Sequence, residues 1–562
     1  MDLARANPSV NWFGTSRLTD VTNGEITMLT TKDTAVQLLK WVFSLCVVFV
    51  AMAAPNRLEA FQGRWLLSLP IELPVLILTL ILAPLSIRST LRFTATLALA
   101  LLILFKAADI ATYFAFARPF NPSADLTMLP IALETLSQTN GLWMVIGIIV
   151  GFFVVLSIIA TALFAAVGAV QSGMPQRAIG VSVGLALIVA GLTPIGNTNP
   201  TSFIGDHVTR FKEGLRTADR FRAALVEDEF SNIPADRRLA GLAGLDVILV
   251  FVESYGRSAL DQPDYAPVVR ARLQQFERVV GAAGFSARSA WLTSPTYGGE
   301  SYLAHSTIVS GVWVDNQKRY AELVKSQRRT LIGDFRDGGW RTVAVMPQIT
   351  RAWSEGAFFG YRQIYDATNL GYAGQPFTYM TMADQFVLAS FHAKELAKID
   401  RQPVMAEIAL ISSHHPWTPI PKIVPWDHIG DGVVFNTART TETVDEVWST
   451  PQRVGQYYAM SIDYSLETLM SFISTFGRDD MLFIVLGDHQ AAGFMSRSDA
   501  REVPVHIIAR DSRILAAMGT GWTEGMTPSA DSPIAPMSSM RSRFIQAFAK
   551  PQITSTSQAI AP

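Results

Sequence analysis

Cysteine is almost absent from this chain: Cys46 is the only one in 562 residues, and it sits in an apolar run. No disulfide framework can be drawn and no zinc site can be built on thiolates. Disulfides therefore say nothing about compartment. An excess of charge of either sign is missing as well, with 46 basic and 47 acidic side chains and a net charge of −1. That balance gives no support to nucleic-acid binding, which needs a basic surface, and it excludes neither a membrane nor an anionic substrate. What the chain has in quantity is apolar residues, 49% of the total, and the first 200 positions are mostly apolar. A chain of this length is expected to form two or more domains.

Residues 1–34 are polar and without clear periodicity, as in a loose cytoplasmic tail. Five apolar runs follow, at roughly 36–55, 65–86, 93–117, 141–168 and 178–196, each near or above the length a helix needs to cross about 30 Å of hydrocarbon. A cleaved signal peptide fits poorly, because the first run begins late and four more come after it. The second run carries Pro70, Pro74 and Pro84, which membrane helices tolerate better than soluble ones. The expectation is an α-helical transmembrane bundle of about five spans over 35–197. Loop arginines divide evenly, Arg88, Arg92 and Arg177 against Arg57, Arg64 and Arg118, so positive charge sets the orientation only weakly. Lys106 and Asp109 lie three apart inside the third run and share a helix face. At that depth they are either a structural couple or functional groups.

Residues 198–244 read as a bridge. Phe211, Leu215, Phe221 and Leu225 recur at helical spacing among Lys212, Arg216, Arg220 and Arg222, a basic amphipathic helix that either lies along a membrane surface or packs on a soluble domain. From Asp246 the pattern changes. Strand-like runs at 246–252, 285–292, 340–346, 404–412, 481–487 and 503–509 alternate with helical ones such as 264–280, 326–337, 380–398 and 453–477. This predicts an α/β domain over 245–525, its sheet mainly parallel and flanked by helices. Functional groups in such sheets gather at strand C-termini. The stretch 418–452 reads as a surface excursion or a lid. Residues 526–562, rich in Met, Ser and Pro, read as a tail with one short helix at 537–549.

The domain is organised around TSPTYGGESYLAHSTIVSG, residues 293–311. A strand feeds the turn Pro295-Thr296-Tyr297-Gly298-Gly299, and a helix is expected from Glu300 to Ser310, stopped by Gly311. Ser301 then lies in the first helical turn, where unpaired N–H groups and the positive dipole end favour an alkoxide or a phosphorylated side chain. The paired glycines let a bulky anion approach. An ordinary capping hydroxyl is the plainer alternative. Elsewhere DVILVFV ends in Glu253, MLFIVLG ends in Asp488-His489, and the run 404–412 leads into Ser413-His414-His415. Glu253, Asp488, His489 and the Ser301 hydroxyl make an oxygen-rich set with one imidazole, suited to one divalent metal: Mn²⁺ first, with Mg²⁺ or Zn²⁺ as alternatives. Such an ion would lower the pKa of the hydroxyl. His414 could then protonate a leaving alkoxide or hold a phosphate, giving a two-step transfer through a phosphorylated enzyme.

The combination of ES after the first strand, GGxS opening a helix, SHxP after 404–412 and GDH after 481–487 resembles the alkaline phosphatase superfamily. Within it the chain resembles the membrane-embedded lipoteichoic acid synthase and phosphoglycerol transferase group, with phosphoethanolamine transferases as cousins. The resemblance covers nearly the whole chain. It implies a multi-pass protein of the bacterial cytoplasmic (inner) membrane with a sulfatase-like domain facing the periplasm or cell exterior. It implies Glu253, Asp488 and His489 as metal ligands, Ser301 as nucleophile and fourth ligand, His414 as a phosphate or leaving-group contact, and Trp353 as a wall of the head-group pocket. The reaction it implies moves a phosphoglycerol-type head group from phosphatidylglycerol, or in the alternative a phosphoethanolamine group from phosphatidylethanolamine, to a hydroxyl on a glycan, lipid or polymer.

The chain also departs from that group. Threonine is usual at the nucleophile position where Ser301 stands, which makes Thr296 in the preceding turn a rival. The residue before the nucleophile, basic in the synthases, is Glu300. After Trp353 the synthases have Asn-Arg, whereas this chain has Ser354-Glu355, so a bidentate phosphate donor is missing unless Arg351 replaces it. Glu355 would suit a cationic head group such as ethanolamine. His415, and His305 one turn beyond Ser301, complete the expected substrate contacts. The Cys- or Ser-x-Pro-x-Arg sequence that yields formylglycine in sulfatases is absent from Ser294-Pro295-Thr296-Tyr297. The rival readings are a membrane-bound phosphodiesterase or other sulfatase-like hydrolase, a catalytically silent membrane scaffold and, remotely, a transporter, against which five spans without an inverted repeat speak.

Overall fold

A computed structural model describes residues 20–62, 64–126, 129–172, 184–188 and 200–549. They divide into two units, Met1–Ile110 with Ile131–Thr209, and Ala111–Pro130 with Arg210–Pro562.

Among the described residues of the first unit, three helices are long and apolar enough to cross a membrane: Ala35–Ala53, Leu85–Phe116 and Leu142–Ser172, with mean hydropathies of 2.0, 1.9 and 2.9. The last residues of the second of these helices belong to the other unit. Residues 20–34, expected in a loose tail, continue the first helix back to Asp20. The second expected span is an eleven-residue helix, Glu72–Leu82, about half the length that crossing requires. Pro70 and Pro84 bound it, since proline lacks the N–H and its ring disfavours helix in the residue before it. The fifth run, 178–196, lies outside the described residues except for 184–188, which are helical. Val48, Ala51, Ile77, Leu99, Leu163 and Val167 form a buried core, while Trp143, Phe152, Phe153 and Ile158 stay exposed, as apolar side chains facing hydrocarbon would.

Lys106 and Asp109 are buried in this unit and do not bind each other. Lys106 Nζ donates to the carbonyls of Met52 and Ala54, both at 2.7 Å, satisfying acceptors that a helix C-terminus leaves open. Asp109 Oδ2 accepts from Asn56 Nδ2 at 2.6 Å and lies 3.4 Å from His207 Nε2. Each group thus has a structural partner.

In the second unit one sheet has the order β4-β3-β5-β1-β6-β7-β2-β8, with β9 beside β2. The strands are β1 Asp246–Val252, β2 Ser286–Thr293, β3 Arg341–Met346, β4 Gln363–Asp366, β5 Val404–Leu410, β6 Met481–Gly487, β7 Glu502–Ala509, β8 Thr523–Glu524 and β9 Ile534–Pro536. β4, β3, β5, β1 and β6 are parallel. β7 runs antiparallel to β6, and β2 antiparallel to β7, which returns β2 to the direction of β1. The sheet is thus mixed, because the connection 488–501 has no crossover helix of the length a parallel return needs.

β1 and β6 are buried along their whole length and feed two cores by alternation, as strands covered on both faces do. Ile248, Val250, Phe483 and Val485 face one core with the helices Ala266–Ala282 and Pro451–Phe476. Val247, Leu249, Phe251 and Leu486 face the other with Ser301–Ser310 and Met540–Phe548. The excursion 418–452 packs down, burying Ile420, Ile429, Phe435 and Val447 in the first core. The expected bridge is the helix Pro200–Val226, whose Phe221 and Leu225 enter the second core. Residues 526–549, expected in a tail, complete the domain: β9 pairs with β2, Phe544 and Ile545 are buried, and Arg541 is clamped by Asp334 at 2.8 Å and Asp228 at 3.0 Å.

Candidate active site

Three strands that end at one sheet edge each deliver a group there. β1 leads into Glu253, β6 into Asp488 and His489, and β2 into the turn before Ser301. Gly487 is required by proximity: a β-carbon there would stand 1.8 Å from the Tyr255 carbonyl oxygen, so only glycine lets β6 pass the exit of β1. Ser254, Glu300 and Trp417 adopt left-handed backbone with φ of 57°, 60° and 64°. Such strain, about 1–3 kcal/mol for each residue, tends to gather where a backbone must aim side chains. Here it flanks Glu253 on one loop and Ser301 on another.

Ser301 Oγ donates to Glu253 Oε2 at 2.9 Å and lies 3.2 Å from His489 Nε2. His489 Nε2 is 3.2 Å from Glu253 Oε1 and 3.7 Å from Asp488 Oδ2. The orientations are fixed from behind. Asp488 Oδ1 accepts from the N–H of Ser254 at 2.8 Å and of His489 at 2.7 Å, and Ser254 Oγ donates to Glu253 Oε1 at 2.9 Å. His489 Nδ1 donates to the Gln490 carbonyl at 2.8 Å, which leaves Nε2 as the ring nitrogen turned to the centre.

Burial, and then Glu253 beside it, push Asp488 up to about 7. Burial would lower His489, yet Asp488 and Glu253 raise it to about 10. Burial would raise Glu253, yet the charge of His489 holds it well below the usual carboxylate range. Two buried carboxylates this close need a positive partner, whether a proton or a cation. One ligand atom each from Glu253, Asp488 and His489 lies within 4.8 Å of the others. Two carboxylates, an imidazole locked through its far nitrogen and an adjacent hydroxyl fit a single divalent metal ion.

Thr296 stands apart from this cluster. Its Oγ1 donates to the Gly299 carbonyl at 2.6 Å and is buried, so it closes the turn that presents Ser301. His414 Nδ1 donates to the His415 carbonyl at 2.6 Å, leaving Nε2 for a ligand, and its charge also helps to lower Glu253. His415 has aromatic partners instead, Trp417 at 5.6 Å and Trp448 at 5.0 Å between ring centres. Arg351 and Glu355 are exposed on the loop between β3 and β4, where Glu355 accepts from Ser354 Oγ at 2.9 Å.

Two buried acids were missed in the sequence. Glu407, 1% exposed in the middle of β5, accepts from His305 Nδ1 at 2.8 Å and from the Tyr361 hydroxyl at 2.6 Å. His305 stacks on Phe251 with 3.7 Å between ring centres. Trp353, the expected pocket wall, lies 6.0 Å from the Tyr361 ring and so borders this network. The signal was present: a lone acid in VMAEIAL, a run apolar enough to be covered on both faces. The other acid is Asp384, which accepts from the N–H groups of Ile411 at 2.7 Å and Ser412 at 3.0 Å and from Ser465 Oγ at 2.7 Å. It holds the loop that carries His414, and burial raises its pKa to about 6.

No family model matches the chain and no curated protein does. Among solved structures it is similar to the lipoteichoic acid synthase LtaP from Listeria monocytogenes, with a TM-score of 0.36 and 13% identity, covering 59% of this chain and 78% of that one. It is similar to a protein in the alkaline phosphatase superfamily from Vibrio parahaemolyticus, with a TM-score of 0.36 and 17% identity, covering 59% and 74%. It is also similar to the Streptococcus pyogenes phosphoglycerol transferase GacH in complex with sn-glycerol-1-phosphate, with a TM-score of 0.36 and 12% identity, covering 58% and 79%. At these scores the chemistry of the site rests on its own residues.

Proposed function

We propose that this protein is a membrane-anchored, metal-dependent phosphotransferase of the alkaline phosphatase type. It moves a phosphoglycerol-type head group from a membrane phospholipid to an extracytoplasmic acceptor hydroxyl through phosphorylated Ser301. The observation that carries the reading is the Ser301 hydroxyl, in the first turn of a helix, 2.9 Å from a carboxylate and 3.2 Å from an imidazole that fit a metal ion. Glu253, Asp488, His489 and Ser301 would hold that ion. When bound it supplies positive charge that lets a hydroxyl ionise near neutral pH.

Ionised Ser301 Oγ attacks phosphorus, the bond from phosphorus to the diacylglycerol oxygen breaks, and that oxygen takes a proton from His414. An acceptor hydroxyl then returns a proton to His414 and attacks phosphorus, and the phosphorus–Oγ bond breaks. The open N–H groups of the helix's first turn stabilise the negative charge in both halves. The apolar helices support a donor drawn from the bilayer, since anchorage raises its effective concentration. The placement read here is a bacterial cytoplasmic membrane with the sheet domain outside; the acceptor is a glycan, lipid or polymer hydroxyl.

Intact-mass analysis of the purified chain tests this, after incubation with phosphatidylglycerol or phosphatidylethanolamine and Mn²⁺, with Ser301→Ala and Thr296→Ala alongside. A phosphoglycerol adduct on wild type and Thr296→Ala, absent from Ser301→Ala, is expected. A phosphoethanolamine adduct would replace the head group, and an adduct lost only in Thr296→Ala would replace the nucleophile. Diacylglycerol release without an adduct would favour a hydrolase. No adduct and no lipid turnover in metal-loaded protein would overturn the reading.

A further inference from the structure

Outside the acid and imidazole cluster, the catalytic unit holds a second convergence of charge. A cavity of about 200 Å³ is lined by Arg118, Thr296, Glu300, Trp313, Asp315 and Arg501, among others. Glu300 directly precedes Ser301, so the cavity lies against the turn that presents the hydroxyl.

Arg118 comes from Ala111–Pro130, a segment that belongs to the catalytic unit although it follows an apolar run. That segment is fixed at several points. Phe114 stacks on Phe494 with 5.1 Å between ring centres. The Ala115 carbonyl oxygen would be 2.0 Å from a β-carbon at Gly298, and the Tyr113 carbonyl oxygen 3.1 Å from one at Gly493. Gly298 also has φ of 71°, so both its conformation and this close approach call for glycine. These glycines stand in the turn before Ser301 and in the loop after His489, and they leave room for the segment at each place. Asp125 accepts from Arg118 Nη1 at 3.0 Å and Nη2 at 2.5 Å, and also from the Asn121 N–H at 2.7 Å. The Arg118 guanidinium is therefore oriented before any ligand arrives, which lowers the ordering cost of binding.

Arg501, the residue before β7, donates from Nη1 to the Pro295 carbonyl at 2.8 Å. Burial, and after it the charge of Arg118, lower its pKa. Asp125 on Arg118, and Asp315 and Glu300 on the cavity wall, offset part of that positive charge, so the cavity offers guanidinium donors to phosphoryl oxygens and carboxylate acceptors to hydroxyl or ammonium groups of the same ligand. Asp315 is 3.1 Å from Arg319, whereas the Glu300 side chain makes no hydrogen bond among the described residues.

We infer that this cavity is a subsite for the phosphorylated head group, in which Arg118 and Arg501 hold anionic phosphoryl oxygens and Glu300 accepts hydrogen bonds from the far end of the group. The inference rests on reading Ser301 as the phosphoryl acceptor. It brings to the turn before Ser301, from a segment distant in sequence, a guanidinium already oriented by Asp125.

The test uses the full chain with Ser301→Ala, which cannot take up phosphorus, titrated calorimetrically with glycerol phosphate and with O-phosphoethanolamine. Both probes are expected to bind. Adding Arg118→Ala should weaken each by roughly ten- to a hundredfold, with Arg118→Lys restoring only part, because lysine has no bidentate fork. Should Arg118→Ala lower the melting temperature, Arg501→Gln takes its place with the same expectation. Adding Glu300→Gln should weaken both probes. A larger loss for phosphoethanolamine assigns an ammonium to Glu300, and an equal loss assigns hydroxyls. Affinities unchanged within about twofold in the arginine variants would overturn the subsite, as would no binding of either probe beside normal adduct formation in wild type. Arg118-dependent binding without any adduct in wild type would leave the subsite standing and remove the phosphotransfer reading, and failure of both would remove both.

Discussion

Lys106 and Asp109 in the first unit, and Glu253, Asp488 and His489 in the second, are all less than a tenth exposed, yet they carry buried charge in different ways. Lys106 and Asp109 each reach fixed partners: two helix-end carbonyls for one, an amide and a histidine for the other. At the sheet edge two carboxylates face each other with one imidazole between them, and backbone N–H groups hold Asp488 in place from behind. Burial of charge is therefore common to both regions, and what separates them is how that charge is balanced. The candidate site is distinguished by charge held together by the fold and left to be balanced by something further.

Removing a charge should then act oppositely in the two regions. Asp488→Asn should lower Mn²⁺ affinity by more than the roughly ten- to hundredfold typical of changes one layer further out, read by metal analysis after dialysis. Metal-free Asp488→Asn should be no less stable than metal-free wild type, because Asn keeps the oxygen that accepts from Ser254 and His489 while one like charge disappears. A large drop in its metal-free melting temperature would collapse the distinction.

Glu407→Gln should lower the turnover number about ten- to a hundredfold with Mn²⁺ content unchanged, since it loosens His305 without touching a ligand. Equal activity would reduce the His305 network to packing. Lys106→Ala should cost about 1.5–3 kcal/mol of stability by leaving the Met52 and Ala54 carbonyls open, measured by unfolding in detergent, while metal content and adduct formation stay at wild-type levels. Loss of the adduct in folded Lys106→Ala would make that region functional after all.

Asp384 sharpens the comparison as a third case, a buried acid held by hydrogen bonds alone. Burial raises its pKa from 3.8 to about 6. The protonated form is therefore the one that folding favours: its contribution is fully present below about pH 4 and is lost as pH rises through about 6, amounting to about 3 kcal/mol. In Asp384→Asn that part of the pH dependence should vanish in chemical denaturation between those limits, and a retained slope would assign it to another group.

Much of the site was legible because strands announce themselves by composition. DVILVFV and MLFIVLG are apolar enough to be central strands, and the first polar residues after them, Glu253 and Asp488-His489, fall at the edge where groups gather. The glycine pair before Ser301 was legible for the same local reason. The second span and the C-terminal segment were read less well: Pro70 and Pro84 bound the former to eleven residues, and the Met- and Ser-rich composition of 526–549 hid that the short helix expected there is buried in the domain through Phe544 and Ile545. The antiparallel entry of β7 was not legible, because strand direction is set by the connection and the neighbouring pairings rather than by the strand's own residues.

The sequence by itself determined the division into an apolar part and an α/β part, the positions of the main strands, and the residue types able to hold a cation, since periodicity and composition act over neighbouring residues. Only the tertiary structure decided that Ser301 rather than Thr296 meets the acids, that Glu407 holds His305, and that Arg118 faces Glu300 across 182 positions of sequence, the difference between their residue numbers. Such meetings depend on strand order and on close approaches such as the one at Gly298, and no local pattern in the chain encodes which distant segments the packed sheet brings to one edge.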